Sequence, residues 1–203
     1  GRELITATGA VDFGDLREPQ RLARVLDACG VEHEMLTADQ ARSRFPQIAF
    51  DTDVLFHPGS GVIDAHESIH AMLDLATQTG RCVVHTNWEV ATVRRTRTGF
   101  AVTSSTGTVV EGARIIVAAG GWLPSLLSEL SLPSSFVDSF PAMTVMQEQA
   151  FHMPWREHDE NGLAYPSWPT FIHKRRELQT YGLPGGRDAG FSGQKMAQYN
   201  GGR

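Results

Sequence analysis

The feature that most constrains the fold is a short apolar run that ends in two glycines, Ile115 to Gly121. Consecutive β-branched and small apolar residues predict a strand that is buried on both faces. Two glycines directly after the strand predict a loop that another segment or a ligand approaches closely, because glycine has no Cβ. The sequence therefore predicts part of a layered α/β core at residues 114–121.

The rest of the chain alternates between helical and extended patterns. Asp64 with Glu67, and Thr37 with Gln40, form helix-capping signals. The apolar residues that recur at helical spacing after Asp64 predict a buried stripe: Ile69, Met72, Leu73 and Ala76. After Pro133 the pattern changes to strands, with three clear extended pieces: Met143 to Glu148, Thr170 to His173 and Leu178 to Leu183. Helices early and antiparallel strands late predict an α+β fold.

Charge and composition exclude several classes of function. The formal net charge of -5 offers phosphate backbones no attraction, so we expect no nucleic-acid partner. The one dense basic run, 173–176, lies between two extended segments and is interpreted as the solvated tip of a hairpin. No apolar stretch is long enough to span a membrane, and Cys29 and Cys82 lack disulfide or zinc spacing. We therefore expect a cytoplasmic protein without a membrane partner.

Residues His66 to His70 match the zinc-hydrolase pattern HExxH, in which two histidines one turn apart bind the metal. The motif lies in the first turn of its helix, where Glu67 is already explained as part of the cap, and no third ligand stands out downstream. We predict no metal site, and a zinc hydrolase stays a remote alternative.

Three blocks in a fixed order carry a resemblance to a known family. The blocks are Leu55 to Gly61, Ile115 to Trp122, and Tyr181 to Pro184 leading to Lys195. Together they resemble the middle of monomeric sarcosine oxidases and N-methyltryptophan oxidases, over nearly the whole chain. The resemblance implies an FAD-dependent oxidoreductase that oxidises an N-methyl or primary amino acid with O2 to an imine and H2O2.

The resemblance also implies a domain organisation. Residues 1–63 and 132–203 would form the first and second parts of a substrate domain, built on an antiparallel sheet with flanking helices. Residues 64–131 would be a segment of the FAD-binding α/β domain, with a helix, a small β-meander and a core strand. The chain has no initiator Met and stops abruptly at Arg203. We therefore expect a piece of a longer protein, and a dimer formed through faces that are exposed when the piece stands alone.

The cofactor contacts implied by the resemblance lie in the 64–131 segment. Val90 would lie against the adenosine end of FAD. The end of the predicted strand would approach the flavin through five consecutive residues: Ala118, Ala119, Gly120, Gly121 and Trp122. The GxGxxG turn that holds the pyrophosphate in this family is absent from the sequence. We expect FAD in the whole protein and no stoichiometric FAD binding by these 203 residues.

The catalytic residues implied by the resemblance lie near the end of the chain. Lys195 resembles a lysine near the flavin ring, whose positive charge stabilises the superoxide-like anion formed during reoxidation. Tyr181 resembles a tyrosine that lines the substrate pocket. Tyr199 stands where the family often has a substrate-contacting histidine. Arg187 and Asp188 lengthen the connection before Lys195, which puts the local register in doubt. The histidine is therefore either replaced by Tyr199 or shifted to another position.

Several readings of these residues stay open from the sequence. An alternating strand with a surface lysine and a packed tyrosine would show the same pattern without any chemistry. The chain would then be a non-catalytic module for substrate binding or packing. Within the resemblance, a flavin dehydrogenase or a glycine-oxidase-like relative is the alternative to an oxidase of small amines.

Overall fold

The computed structural model describes residues 3–127, 130, 132–156, 167–185, 190 and 193–200 of the chain. These residues divide into two compact units, one of residues 1–72 with 146–203 and the other of residues 73–145. The first unit holds a seven-stranded sheet and a two-stranded sheet, and the second holds a three-stranded sheet. The insertion carrying Arg187 and Asp188 lies outside the described residues.

Short elements follow one another along the described residues. The strands are β1 (Ile5–Ala7), β2 (Ala10–Phe13), β3 (Glu34–Leu36), β4 (Val54–His57), β5 (Gly61–Ile63), β6 (Val90–Arg95), β7 (Phe100–Ser104), β8 (Val109–Gly112), β9 (Ala150–Pro154), β10 (Thr170–Lys174), β11 (Gln179–Gly185) and β12 (Gly193–Gln198). The helices are α1 (Pro19–Ala28), α2 (Ala38–Arg44), α3 (Ala65–Gln78), α4 (Leu123–Leu127) and α5 (Ser134–Asp138). None of the helices within the described ranges is long and apolar enough to cross a bilayer.

The large sheet is mixed, with the strand order β3-β4-β2-β10-β11-β12-β9. Neighbouring strands are antiparallel except for β2 and β10, which run parallel. The sequence predicted an antiparallel sheet, and that prediction is wrong for the pairing of β2 with β10. β2 and β10 lie far apart along the chain, so no hairpin forces them to run in opposite directions.

One face of the large sheet, which we call the core face, carries the hydrophobic core. Val11 lies in register with Phe56 on one side and with Phe171 on the other. Residues directly opposite each other share a face, and all three of these side chains are buried. The core is completed from α2 and the segment after it by Ala41, Phe45, Ile48 and Phe50.

A capping box begins α2, as predicted from the sequence. The Gln40 amide N–H donates to Thr37 Oγ1 at 3.3 Å, and the Thr37 amide N–H donates to Gln40 Oε1 at 2.8 Å. This reciprocal cap satisfies two backbone donors at the helix start. It holds the helix that contributes Ala41 to the core.

We call the opposite face of the large sheet the open face, because on β10, β11 and β12 most of its side chains are only half-buried, although Ala197 is buried. Its members on β10, β11 and β12 and just beyond β12 are Ile172, Lys174, Tyr181, Lys195 and Tyr199. These half-exposed side chains are available to a ligand, whereas those of the core face are not.

The second unit is built on the antiparallel meander β6-β7-β8. The buried strand predicted at 114–121 is wrong: residues 114–119 are not in a strand, Ile116 is 91% exposed, and Gly120–Trp122 form a 3-10 turn. A strand buried on both faces needs hydrogen-bonded neighbours, and none of the described strands pairs with this segment.

For helix α3, the sequence predicted the cap correctly but not the burial. Its cap is confirmed, because the Glu67 amide N–H donates to Asp64 Oδ1 at 2.9 Å. The predicted burial of its stripe is wrong: Ile69 is 54% exposed, Met72 is 62% exposed, and none of the helix residues is buried. Helical spacing places apolar residues on one stripe, but burial requires a second element to cover them.

Candidate functional site

The open face brings together Tyr181, Lys195 and Tyr199, the three residues predicted to act on the substrate. In the β11–β12 pair, Tyr181 lies opposite Ala197, and Leu183 lies opposite Lys195. Residues two apart on a strand share a face, as do residues directly opposite each other. All three side chains therefore lie on the open face, and Lys195 and Tyr199 are separated by about 13 Å, at about 3.3 Å per residue.

The two tyrosines form a pair of neighbouring phenols. Their ring centroids are 4.8 Å apart, with 45° between the ring planes. The Tyr199 amide N–H donates to the Gln179 carbonyl oxygen at 2.7 Å, which keeps Tyr199 in register beyond the end of β12. Among the described residues, neither phenol oxygen has a hydrogen-bond partner. Both hydroxyl groups can therefore serve a ligand.

The surroundings of Tyr199 favour its neutral form. Burial is the largest cause that raises the pKa of Tyr199 above 10.0, and the neighbouring Tyr181 raises it further. Arg17 acts in the opposite direction, and Asp12 and Glu148 raise the pKa again. Tyr199 consequently stays a hydrogen-bond donor at neutral pH.

Lys174 also reaches the open face, which the sequence interpretation missed. Its ammonium lies 4.8 Å from the ring centroid of Tyr199, within the range of a cation–π contact. The predicted solvated tip is wrong for His173 and Lys174. The hairpin turn spans residues 175–178, where the Arg175 amide N–H donates to the Leu178 carbonyl oxygen at 2.9 Å. This turn pairs Lys174 with Gln179, and so places Lys174 on the same face as Tyr181. A turn predicted at residues 175–178 would have identified Lys174 from the sequence.

His152 is a second residue that the sequence interpretation missed. It lies on β9 directly opposite Lys195, so it shares the open face. An imidazole can donate or accept a hydrogen bond, so His152 is a further candidate for contacting a ligand on this face. The extended piece predicted here covered Met143 to Glu148, whereas β9 spans Ala150–Pro154.

The residues predicted to contact the cofactor all belong to the second compact unit. Val90 begins β6, whereas Ala118 and Ala119 lie in an irregular segment. Gly120 has a φ of +52°, and a Cβ at this position would meet no atom of the described residues within 4 Å. Trp122 is 79% exposed. The segment is accessible from outside, and its contact with a cofactor stays a prediction.

The HExxH motif lies on an exposed surface of α3. The rings of His66 and His70 are 4.4 Å apart between centroids. Within the described ranges, no group of three or more His, Cys, Asp or Glu side chains could hold a metal ion. The pair has no third ligand there, and the zinc-hydrolase alternative gains no support.

The sequence matches a family whose description is FAD dependent oxidoreductase, over residues 4–195. No curated protein sequence gives a significant match.

Several solved structures share the fold of the chain. NikD, described as an unusual amino acid oxidase essential for nikkomycin biosynthesis, superposes with a TM-score of 0.69 at 18% identity, covering 100% of this chain and 51% of NikD. Iminodiacetate oxidase from Chelativorans sp. BNC1 gives a TM-score of 0.66 at 22% identity, covering 98% of this chain and 51% of the oxidase. L-proline dehydrogenase from P. horikoshii gives a TM-score of 0.68 at 15% identity, covering 95% of this chain and 48% of the dehydrogenase. The chain spans about half the length of these structures.

Proposed function

Because the chain belongs to the FAD-dependent oxidoreductase family, we propose that the whole protein is an oxidase of small amino acids with a primary or N-methyl amine. The carbon next to the amine loses a hydride and the nitrogen loses a proton, which leaves an imine. When bound, FAD would supply the electron acceptor for this step, and O2 would take up the two electrons with two protons to become H2O2. The observation that carries the proposal is the shared position of Tyr181, Lys195 and Tyr199 on the open face.

The residues of the open face fit the ring end of FAD. An ammonium and two phenol donors suit a site where negative charge develops as electrons pass to oxygen. In the second unit, none of the described residues lies within 4 Å of a Cβ built at Gly120, which leaves the backbone approachable from that part of the chain. The pyrophosphate end is not accounted for, since the sequence has no GxGxxG turn. We therefore keep the expectation that these 203 residues bind no stoichiometric FAD.

Each residue of the open face has a role in the proposal. Lys195 holds a fixed positive charge where oxygen is reduced. Tyr181 orients the amino acid through a neutral hydroxyl. Tyr199 contacts the substrate from the position next to Tyr181, and its raised pKa keeps the phenol uncharged. Val90 and residues 118–122 keep the proposed role of contacting FAD.

We also propose that residues 1–63 and 132–203 form the substrate domain and residues 64–131 a segment of the FAD-binding domain. The two compact units, of residues 1–72 with 146–203 and of residues 73–145, have bounds close to these and support the proposal. Taken alone, the chain would then act as an inert binding and packing module.

The structural neighbours support a small amino acid as the substrate class, since two of them are described as an amino acid oxidase and an iminodiacetate oxidase. The L-proline dehydrogenase favours the second candidate, a flavin dehydrogenase with another electron acceptor. Release of H2O2 by the whole protein during turnover separates the two functions.

Lys195→Met tests the proposal in the whole flavoprotein. We expect the oxygen reaction to slow by about 100-fold or more, because a preorganised charge at the reacting centre is lost, while the anaerobic amine step changes much less. Stopped-flow absorbance of the flavin measures both steps. Lys195→Arg is the control and should keep most of the oxygen rate, since it keeps the charge. An equal loss in both steps, or full oxygen reactivity in Lys195→Met, would refute the role.

A further inference from the structure

Lys174 is held in place at the end of β10. Its carbonyl oxygen accepts a hydrogen bond from the Leu16 amide N–H at 3.0 Å, and β11 pairs it with Gln179. Its ammonium lies over the ring of Tyr199 at 4.8 Å. The charge is therefore positioned on the open face.

This charge lacks an acidic partner among the described residues. The carboxylate of Asp12 is paired with Arg17, and that of Asp51 lies 2.7 Å from Arg175 Nε. Glu148 Oε1 accepts a hydrogen bond from the Asn200 amide N–H at 2.8 Å. These three carboxylates are thus engaged elsewhere, and among the residues that the structure describes the Lys174 ammonium makes no ion pair.

The chemistry beside Lys174 suits a carboxylate. The hydroxyl groups of Tyr181 and Tyr199 are donors without partners among the described residues. An ammonium together with a neutral phenol can bind both oxygens of a carboxylate.

The position of Lys174 along the strands determines which carboxylate it would meet. Lys174 lies in the row of Gln179 and Tyr199, whereas Lys195 lies about 13 Å further along β12, at about 3.3 Å per residue. A carboxylate on the same carbon as the reacting amine would stay close to the reacting centre. Lys174 lies at the far end of the open face from Lys195. It would therefore meet a substrate group that is several bonds away from the reacting carbon.

We propose that Lys174 is a specificity-determining residue that, with Tyr199, binds a distal acidic group of the substrate, so that the preferred substrates are amino acids with a second carboxylate. The assignment of this ligand as a substrate rests on the proposed function.

The first test uses the 203-residue chain and requires no flavin. Glutarate serves as a dicarboxylate probe and acetate as a monocarboxylate, and NMR follows the ring resonances of Tyr199. We expect saturable glutarate shifts in the unchanged chain, binding at least about 10-fold weaker in Lys174→Met, which corresponds to about 1.4 kcal/mol, and weaker binding of acetate. Arg176→Gln is the matched control, because it removes one positive charge from an exposed position two residues away.

Equal glutarate binding in Lys174→Met and the unchanged chain, or no saturable shift in either, would overturn the inference. Circular dichroism checks that each variant is folded. In the whole flavoprotein, Lys174→Met should lower kcat/KM for an acidic amino acid about 10-fold or more relative to a neutral one. If the whole protein oxidises no amine but glutarate binding still requires Lys174, the proposed oxidase function fails while the acid-binding subsite stands.

Discussion

The ionisation of Tyr199 depends on the residues packed around its ring. Burial is the main cause of its raised pKa, and Tyr181, 4.8 Å away between ring centroids, adds to it. A phenol whose pKa is higher in the folded state than the unfolded value of 10.0 stabilises the fold below that pH. The contribution is lost as the pH rises through the folded pKa.

We expect Tyr181→Phe to lower the pKa of Tyr199 part of the way toward 10.0, because burial remains when the neighbouring ionisable phenol is removed. Spectrophotometric titration of the phenolate band measures the shift, and a Tyr199→Phe variant assigns the signal. A pKa that stays the same or rises in Tyr181→Phe would contradict the view that Tyr181 raises the pKa of Tyr199.

At the scale of the element, β11 depends on a glycine facing the core. Gly182 lies opposite Phe171, and a Cβ at position 182 would come within 2.2 Å of Phe171 Cε1. The aromatic ring therefore occupies the space that a side chain on β11 would need.

Gly182→Ala should destabilise the fold by about 1–3 kcal/mol, because Phe171 must leave its position in the packed core. Gly185→Ala on the same strand is the control, since among the described residues its Cβ would meet only Leu183 Cδ1, at 3.9 Å. Urea unfolding compares the two variants. If both lose the same stability, the contact between Gly182 and Phe171 is not the cause.

Helix α2 supplies Ala41 to the core and depends on its capping box. Thr37→Ala should lower the free energy of unfolding by about 1 kcal/mol, because a backbone donor at the helix start loses its partner. Ser43→Ala, at an exposed position in the same helix, should change it by no more than about 0.5 kcal/mol. Thermal unfolding measures both, and no loss in Thr37→Ala would contradict the role of the cap.

At the scale of the whole molecule, the apolar stripe of α3 has a consequence for association. Ile69 and Met72 are exposed on a helix without buried residues. Exposed apolar stripes of this kind drive proteins to associate.

We expect the molar mass from light scattering to rise with concentration and Met72→Glu to reduce this rise, because a charge on the stripe opposes burial. Gln78→Glu adds the same charge to α3 away from the stripe and should leave association unchanged. A constant monomer mass in the unchanged chain would contradict the prediction.

The sequence indicated part of the site. The family resemblance of the block from Tyr181 to Pro184 leading to Lys195 implied Tyr181 and Lys195, and the two residues lie on one face of the sheet. Lys174 and His152 were missed because their position depends on hairpin register and on the start of β9. The run at 114–119 reads as a buried strand, yet its burial depends on neighbouring strands that are absent from the described residues.

The sequence by itself determined the caps of α2 and α3, since a cap or a turn depends on residues only a few positions apart. Only the tertiary structure decided that β2 pairs with β10 in parallel, and that Lys174 meets Tyr199. Strand neighbours are selected by burial against residues far along the chain, and a local pattern carries no information about which distant segment provides it.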